Sequence, residues 1–259
     1  MKNEYLFEYK SQKLDILITG ASFPFLSTTV VLLSLGKRKI LIDTGYPNVQ
    51  EKLIANLKSR GILPHEITDL ILTHYHLDHL GNAGLFPKAR IYLGQEDYHL
   101  LVQIHNKVEK DEELFFLTTD TIGISDQRKV RAVISILKNS AGLIETLVNH
   151  NRLNLIEKSL TFDEKVEIKK TPGHTDGHIS IFCDFGAGKD VCIAGDALPT
   201  FSVANCGVPL QEGVINQNDA LFLKSKEEIK RSAIIIPGHD EPFSVDGTIT
   251  NYYRKGRSL

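Results

Sequence analysis

Four apolar runs of strand length in this chain end directly in side chains that can bind metal ions. The run ITDLILTH opens into four ligand-type residues within six positions: His74, His76, Asp78 and His79. Three later runs, in VEIKKTPGH, VCIAGD and AIIIPGH, each place a glycine before one ligand-type residue: His174, Asp196 and His239. Because ligands gather at the carboxyl ends of strands in open α/β layers, the pattern predicts a common site at one edge of a sheet.

The first group also predicts a bend in the backbone. Residues two apart share one face of a strand, so His74 and His76 can point the same way. Asp78 and His79 are adjacent and can reach one location only if the chain bends after His76, with residues 77–81 opening a turn or helix. Neutral imidazole and carboxylate are ligands for zinc, and also for iron or manganese. The alternative is that these polar residues belong to an exposed loop.

Composition narrows the classes of function. The 259 residues carry a formal net charge of -2, which is not the basic balance typical of proteins that bind nucleic acid. No run approaches the roughly 18 apolar residues of a membrane span, and MKNEYLFEYK lacks the apolar core of a signal peptide. We therefore expect a cytoplasmic protein with a small-molecule substrate, without nucleic-acid or membrane partners. The oligomeric state is not indicated.

The order of apolar periodicities predicts strands, a helix, strands, a mostly helical insertion at about 95–160, strands, a helix and a final strand. Helical spacing is present in 96–110 and 126–139, and a third pattern covers 144–159. Strands interleaved with surface helices favour a layered α/β sandwich. We expect one domain over 1–259. The insertion could cap a cleft with an apolar wall, and the candidates, each with ordinary helix packing as the alternative, are Tyr98, Leu101, Phe115 and Phe116.

Taken together, these motifs resemble those of the metallo-β-lactamase superfamily. The HxHxDH group at 74–79 is followed in order by His174, Asp196 and His239. ILIDTG at 40–45 is similar to the first motif of that family, and TPGHTDGH at 171–178 is similar to its TPGHTxG segment. The resemblance implies an αββα sandwich with the metals in a cleft at one edge of two sheets.

The resemblance also implies roles for individual residues. One metal would be held by His74, His76 and His174. The second would be held by Asp78, His79 and His239, with Asp196 bridging the two ions. Asp43 would orient a ligand histidine, or else form an Asx turn before Gly45. Apart from the resemblance, His178 is interpreted as a surface or packing residue that, four positions after His174, could also line the site.

The ligand set favours a catalytic centre over a structural one. Structural zinc sites are usually rich in cysteine, whereas no cysteine fits this pattern. We expect two divalent metal ions, with Zn²⁺ as the first candidate and iron or manganese as alternatives. A hydroxide between the two ions would be the nucleophile. Asp78 could orient that water and carry its proton to the leaving group. The expected reaction is metal-assisted hydrolysis.

The spacing between motifs restricts the substrate within the family. The chain after His239 is too short for the helical domain of glyoxalase II-like thioesterases, and the stretch between Asp196 and His239 is too short for a β-CASP domain. Asp196 stands where many β-lactamases of this family carry cysteine, and His76 replaces the glutamate typical of flavodiiron proteins. A lactonase-like hydrolase of a small ester, lactone or thioester fits best. A nucleic-acid phosphodiesterase and an iron-dependent oxidoreductase of the persulfide dioxygenase type remain alternatives.

Overall fold

The computed structural model describes residues 6–9, 12–20, 27–107, 134, 138–143, 152–186, 190–205 and 216–245. The first half of the chain builds a seven-stranded sheet in which the strands lie in sequence order. Its strands are β1 (Leu6–Tyr9), β2 (Gln12–Ile18), β3 (Val30–Leu35), β4 (Arg38–Ile42), β5 (Asp69–Ile71), β6 (Arg90–Gly94) and β7 (Leu153–Ile156). Strands β4 to β7 pair in parallel, and the other pairs of this sheet are antiparallel.

The second half builds a six-stranded sheet. Its strands are β8 (Leu160–Asp163), β9 (Val166–Lys170), β10 (Ile179–Asp184), β11 (Asp190–Gly195), β12 (Ile234–Pro237) and β13 (Phe243–Ser244). The spatial order is β13-β12-β11-β10-β9-β8. Among the described strands of this second sheet, β11 and β12 pair in parallel and the other pairs are antiparallel.

Helices cover the outer faces of both sheets. They are α1 (Gln50–Ser59), α2 (Leu77–Leu80), α3 (Gln95–Lys107), α4 (Phe201–Asn205) and α5 (Asp219–Ile229). Single 3-10 turns occupy Pro47–Val49, Pro64–Glu66 and Ala83–Leu85. None of the helices in the described ranges combines the length and the apolar character needed to span a membrane.

Alternation along the strands explains the layers. In β4, Ile40 and Ile42 pack between the two sheets, while Leu41 faces the opposite side. Leu41 joins a core formed with Leu53 of α1 and Leu101 of α3. A third core packs the outer face of the second sheet, including β11 and β12, against α4 and α5. Since central strands such as β3, β11 and β12 are buried on both faces, they read as continuous apolar runs. The predicted αββα sandwich is confirmed.

The region at 95–160 differs in part from its prediction. Residues 95–107 and 138–142 are helical, as expected there. The helical pattern over 144–159 is wrong at Leu153–Ile156, which form strand β7 and pair in parallel with β6. Four residues are too few to show a period, so pairing with a formed neighbour decides their conformation. Residues 108–133, 135–137 and 144–151 lie outside the described part, and the single domain over 1–259 stays a prediction.

The structure shows the positions of two of the four residues that were proposed for the apolar wall. Leu101 is fully buried in the core beneath the first sheet, and Tyr98 packs against the same core. For these two residues, ordinary helix packing is therefore the role that the structure shows. Phe115 and Phe116 lie outside the described residues.

Candidate metal centre

The loop after β5 bends where the sequence predicted. His74 follows the buried strand, and His76 has an extended backbone with φ -67° and ψ 145°. Helix α2 starts at the next residue, which places Asp78 and His79 in its single turn. The bend after His76 is therefore a change from strand-like to helical backbone, and it aims successive side chains at two neighbouring points.

All seven residues that the sequence analysis named as ligands lie in one cluster. Their ligand atoms approach to within 4.8 Å of one another in three overlapping groups: His74, His76 and His174; His74, His79 and Asp196; Asp78, His79 and His239. The first four residues come from the edge of the first sheet, and the other three follow strands β9, β11 and β12 of the second. The cleft between the two sheet edges thus collects ligand-type side chains from both halves of the chain.

Asp196 lies between the two sides of the cluster. Its Oδ2 is 3.1 Å from Nε2 of His239 and 3.4 Å from Nε2 of His174. Its Oδ1 is 3.5 Å from Nε2 of His79. Asp196 packs against the backbone of Gly238, where a Cβ would overlap its Oδ1. The position suits a carboxylate shared by two cations.

Several buried polar atoms in the cluster lack a hydrogen-bond partner. Among the described residues, such atoms include Nε2 of His74, Nε2 of His79 and Oδ1 of Asp196, and also Nδ1 of His174. Buried polar atoms are nearly always hydrogen-bonded, so each of these orphans requires an explanation. Cations bound in the cluster would satisfy the atoms of His74, His79 and Asp196, and imidazole with carboxylate is a donor set that divalent zinc, iron and manganese accept. The residues present therefore fit a metal.

Asp43 orients His79 from behind. Its Oδ2 is 2.8 Å from Nδ1 of His79, and its two oxygens also accept the backbone N–H and the hydroxyl of Thr73. Asp43 adopts a positive φ of 57°, a region that aspartate visits more readily than most residues. Of the two interpretations of Asp43, the partner of a ligand histidine is the one that these contacts support.

The rest of the ILIDTG motif fixes α2. The backbone N–H of Thr44 donates to the carbonyl of His79 at 2.7 Å, and its hydroxyl donates to the same oxygen at 2.9 Å. Asn82 donates its side-chain amide to the carbonyls of Thr44 and Tyr46, each at 2.9 Å. The short helix that carries Asp78 and His79 is thereby tied to the end of β4.

Residues 27–29, just before β3, support the opposite side and were not identified from the sequence. The hydroxyl of Thr28 donates to Oδ2 of Asp78 at 3.0 Å. The carbonyl of Ser27 lies 3.1 Å from Nδ1 of His239, and the N–H of Thr29 donates to the carbonyl of Gly238. Since hydroxyl residues before a strand are ordinary in loops, no local signal marked this segment.

His178 supports Asp196 and is not in any of the ligand groups. Its Nε2 accepts the backbone N–H groups of Asp196 and Ala197 at 3.0 and 3.2 Å. Nδ1 therefore carries the proton and donates to the hydroxyl of Thr171 at 2.9 Å. Of the surface and packing roles that the sequence left open, the structure shows packing, because this side chain is fully buried, and the side chain also holds the Asp196 turn.

Burial keeps one side of the cluster neutral. It lowers the pKa of His74 well below its usual value, and the nearby rings of His79 and His76 add to this effect. Burial, and then the His174 ring, lower the pKa of His76 to about 3. Burial also lowers the pKa of His174. Neutral imidazole is the form that binds metal, so this side is prepared to accept a cation.

The other side is dominated by charge pairs. Burial opposes protonation of His79, but Asp196, Asp43 and Asp78 outweigh it and raise its pKa well above the usual value. Burial likewise opposes protonation of His239, yet Asp196 raises the pKa of His239 to about 9. Burial favours the neutral acid in Asp196 and Asp78, but the histidines prevail and lower the pKa of both carboxyls. Both carboxylates are thus ionised at neutral pH.

Comparison with known proteins points in one direction. The family model described as the metallo-beta-lactamase superfamily matches residues 23–239. A relative from Xenopus laevis, metallo-beta-lactamase domain-containing protein 1, is 26% identical over 215 residues, which are 83% of this chain and 72% of that protein.

Two solved structures share the fold. Hydrolase AbOPH, described as a member of the beta lactamase superfamily, has a TM-score of 0.70 with 17% identity and covers 91% of this chain and 89% of its own. AidC, a dizinc quorum-quenching lactonase solved with a product, has a TM-score of 0.61 with 16% identity and covers 90% of this chain and 89% of its own. At these identities, the comparison concerns the fold alone.

Proposed function

Since this chain belongs to the metallo-beta-lactamase superfamily, we propose that it is a metal-dependent hydrolase of a small ester, lactone or thioester. The observation that carries the proposal is the convergence of seven ligand-type side chains in the cleft between two sheet edges, with buried donor atoms that lack partners. Zn²⁺ is the first candidate for the metal, with iron and manganese as alternatives.

The three groups suggest which cation each residue would hold. One divalent cation would be held by His74, His76 and His174, and a second by Asp78, His79 and His239. Asp196 would contact both, because its two oxygens face His79 on one side and His174 and His239 on the other. When bound, the cations would lower the pKa of a water to about 7 and polarise the carbonyl of the substrate.

Asp78 is the residue we assign to proton transfer. Its side chain is 17% exposed, against 8% for Asp196, so it is the more open of the two carboxylates at the cleft. Thr28 holds its Oδ2 at 3.0 Å. The histidines keep Asp78 ionised. Its Oδ1 is therefore an acceptor that can take a proton from the attacking water and return it to the leaving alkoxide or thiolate.

Support for a small neutral substrate comes from composition and fold. The net charge of -2 offers no general attraction to a polyanion. The sandwich is similar to that of AidC, a lactonase, with a TM-score of 0.61. All seven ligand positions, five histidines and two aspartates, are present in the cluster. The lactonase-like interpretation of the sequence rests on this complete set.

The direct test is elemental analysis of the purified protein, coupled to a panel of lactone, thioester, phosphodiester and β-lactam substrates. We expect two equivalents of divalent metal and turnover of a lactone or thioester. Turnover of the phosphodiester alone, or a single iron with no hydrolysis, would contradict the proposal.

Variants of the central ligands extend this test. Asp196→Ala and His79→Ala should each lower the bound metal and abolish hydrolysis, while circular dichroism shows that the sandwich still folds. Full metal content and activity in both variants would refute the two-metal assignment.

A further inference from the structure

Asp97 is a buried carboxylate in the first turn of α3, and its side chain is directed away from its own helix. It is only 1% exposed. Its Oδ1 accepts the backbone N–H of Gly177 at 2.8 Å. Its Oδ2 accepts the hydroxyl of Thr175 at 2.9 Å and the backbone N–H of Tyr75 at 3.2 Å. One side chain therefore receives three hydrogen bonds from two different loops.

These two loops carry the first ligand group. Tyr75 lies between His74 and His76 in the loop after β5, and Thr175 directly follows His174 in the loop after β9. The donors to Asp97 are thus each one residue from a histidine of that group, except for Gly177, which closes the second loop. Asp97 itself touches none of the three imidazoles in the described contacts.

Two glycines make room for this carboxylate. A Cβ on Gly177 would overlap the backbone nitrogen and the side chain of Asp97. A Cβ on Gly94, the last residue of β6, would overlap the carbonyl of Gly177. Close approach of backbone is a position where only glycine fits. The end of β6, the start of α3 and the loop after β9 are therefore packed around the Asp97 side chain.

The second ligand group is supported separately. Asp78, His79 and His239 are held by Thr28, Asp43 and Ser27, and none of these contacts involves Asp97. A change at Asp97 should therefore act on one side of the cluster, whereas a general loss of stability would act on both.

We infer that Asp97 is a positioning residue, which fixes the spacing between the loop of His74 and His76 and the loop of His174. This inference rests on the proposed function, because it treats these histidines as ligands of a cation. Asp97 acts through the backbone of both loops, so its contribution lies in the geometry of the binding site and not in the reacting atoms.

The test uses Asp97→Asn with Glu96→Gln as its control. An asparagine in either orientation turns its NH₂ towards the N–H of Tyr75 or that of Gly177, so one backbone donor loses its acceptor. Glu96 is the neighbouring residue, exposed and paired with Lys170 at the surface, and its variant removes the same charge without touching the loops.

The measurement is a titration of metal-stripped full-length protein with Co²⁺, followed by calorimetry and by the visible ligand-field spectrum. For Asp97→Asn we expect one of the two Co²⁺ ions to bind about tenfold more weakly with an altered spectrum. The other ion should bind as in wild type, and Glu96→Gln should behave as wild type for both. Wild-type affinity and spectrum for both ions in Asp97→Asn, with only a lower melting temperature, would overturn the inference.

Thr175→Val provides a second, milder variant, because valine has the shape of threonine without the hydroxyl donor. It should weaken the same ion severalfold, and the loss in the double variant with Asp97→Asn should be smaller than the sum of the two single losses, since both variants act on hydrogen bonds of the same carboxyl group. Additive losses would refute the linkage. A wild-type protein that binds no Co²⁺ would instead contradict the proposed function.

Discussion

Nδ1 of His79 lies 2.8 Å from Oδ2 of Asp43, and this contact directs Nε2 of the same ring towards Asp196 and Asp78. The imidazole is fully buried and has carboxylates on both sides. A carboxylate behind a ligand histidine fixes its tautomer and makes it a stronger ligand. Through the Asp43–His79 pair, the end of β4 therefore fixes the orientation of a histidine in the ligand group around α2.

Asp43→Asn should lower the affinity for one divalent cation tenfold to a hundredfold, the range typical of such partners. Asparagine tolerates the positive φ of this position, so the backbone should be retained. The measurement is a competition titration with a chelator of known affinity.

The control for this variant is Asp69→Asn. Asp69 is also fully buried, but it pairs with Arg38 at the start of β5, at the opposite end of the strand from the cluster. The variant Asp69→Asn should lower the melting temperature and leave the metal affinity unchanged. Equal effects of both variants on affinity would refute a specific role for Asp43.

Thr28→Val should lower kcat about tenfold while metal content stays at the wild-type level. The hydroxyl of Thr28 holds Oδ2 of Asp78, so valine frees the carboxylate that we assign to proton transfer. Thr28→Ser keeps the hydroxyl and should restore most of the rate. Steady-state kinetics with parallel metal analysis checks this, and an unchanged kcat in the valine variant would exclude the assignment.

Gly238→Ala should reduce metal content and activity to a small fraction of wild type. The added Cβ would overlap Oδ1 of Asp196 and displace the carboxylate that both ligand groups share. Gly142→Ala is the matched control, because a Cβ there meets no atom within 4 Å among the described residues. If both alanine variants bind metal as wild type does, Asp196 is not confined in the way described.

The stability of the metal-free protein should depend on Asp97 in a defined pH window. Burial raises the pKa of Asp97 to about 7, against the hydrogen bonds from Thr175, Gly177 and Tyr75, while the value in the unfolded chain is near 3.8. The folded state then binds the extra proton between these values. This contribution to stability is fully present below pH 3.8 and is lost as the pH rises through about 7.

Asp97→Asn cannot titrate. Between pH 5 and pH 8, the free energy of unfolding of wild type should therefore fall relative to that of Asp97→Asn, by at most about 3 kcal/mol. Urea unfolding of both metal-stripped proteins at the two pH values measures the difference. A difference that stays constant would show that the Asp97 carboxyl does not titrate in this range, and a change in the opposite direction would contradict a raised pKa of Asp97.

The ligand-type residues could be predicted from sequence because they follow the ends of apolar strands, four of them after β5 and one each after β9, β11 and β12. The bend after His76 was predictable for the same reason, since Asp78 and His79 are adjacent and must face one site. In contrast, β7 could not be separated from a helix, because four residues depend on pairing with β6 for their conformation.

Thr28 and Asp97 were missed because their partners are distant in sequence. Thr28 is 50 positions from Asp78, and Asp97 is 80 positions from Gly177. Nothing in the neighbouring residues distinguishes Asp97 from Glu96, although one is buried and the other exposed. Only the assembled topology, in which α3 begins beside the loop after β9, gives the two carboxylates different roles.

The cluster joins residues from the beginning and the end of the described chain, as in the contact between His239 and Ser27, which are 212 positions apart. Each ligand group combines residues from both sheets, and Asp196 follows a strand of the second. The cluster therefore exists only after the two sheets have docked. A bound cation would then favour the docked state by mass action. The metal centre would thus hold the two halves of the sandwich together. It would form last during folding, and it would be the first part to separate when a chelator removes the metal.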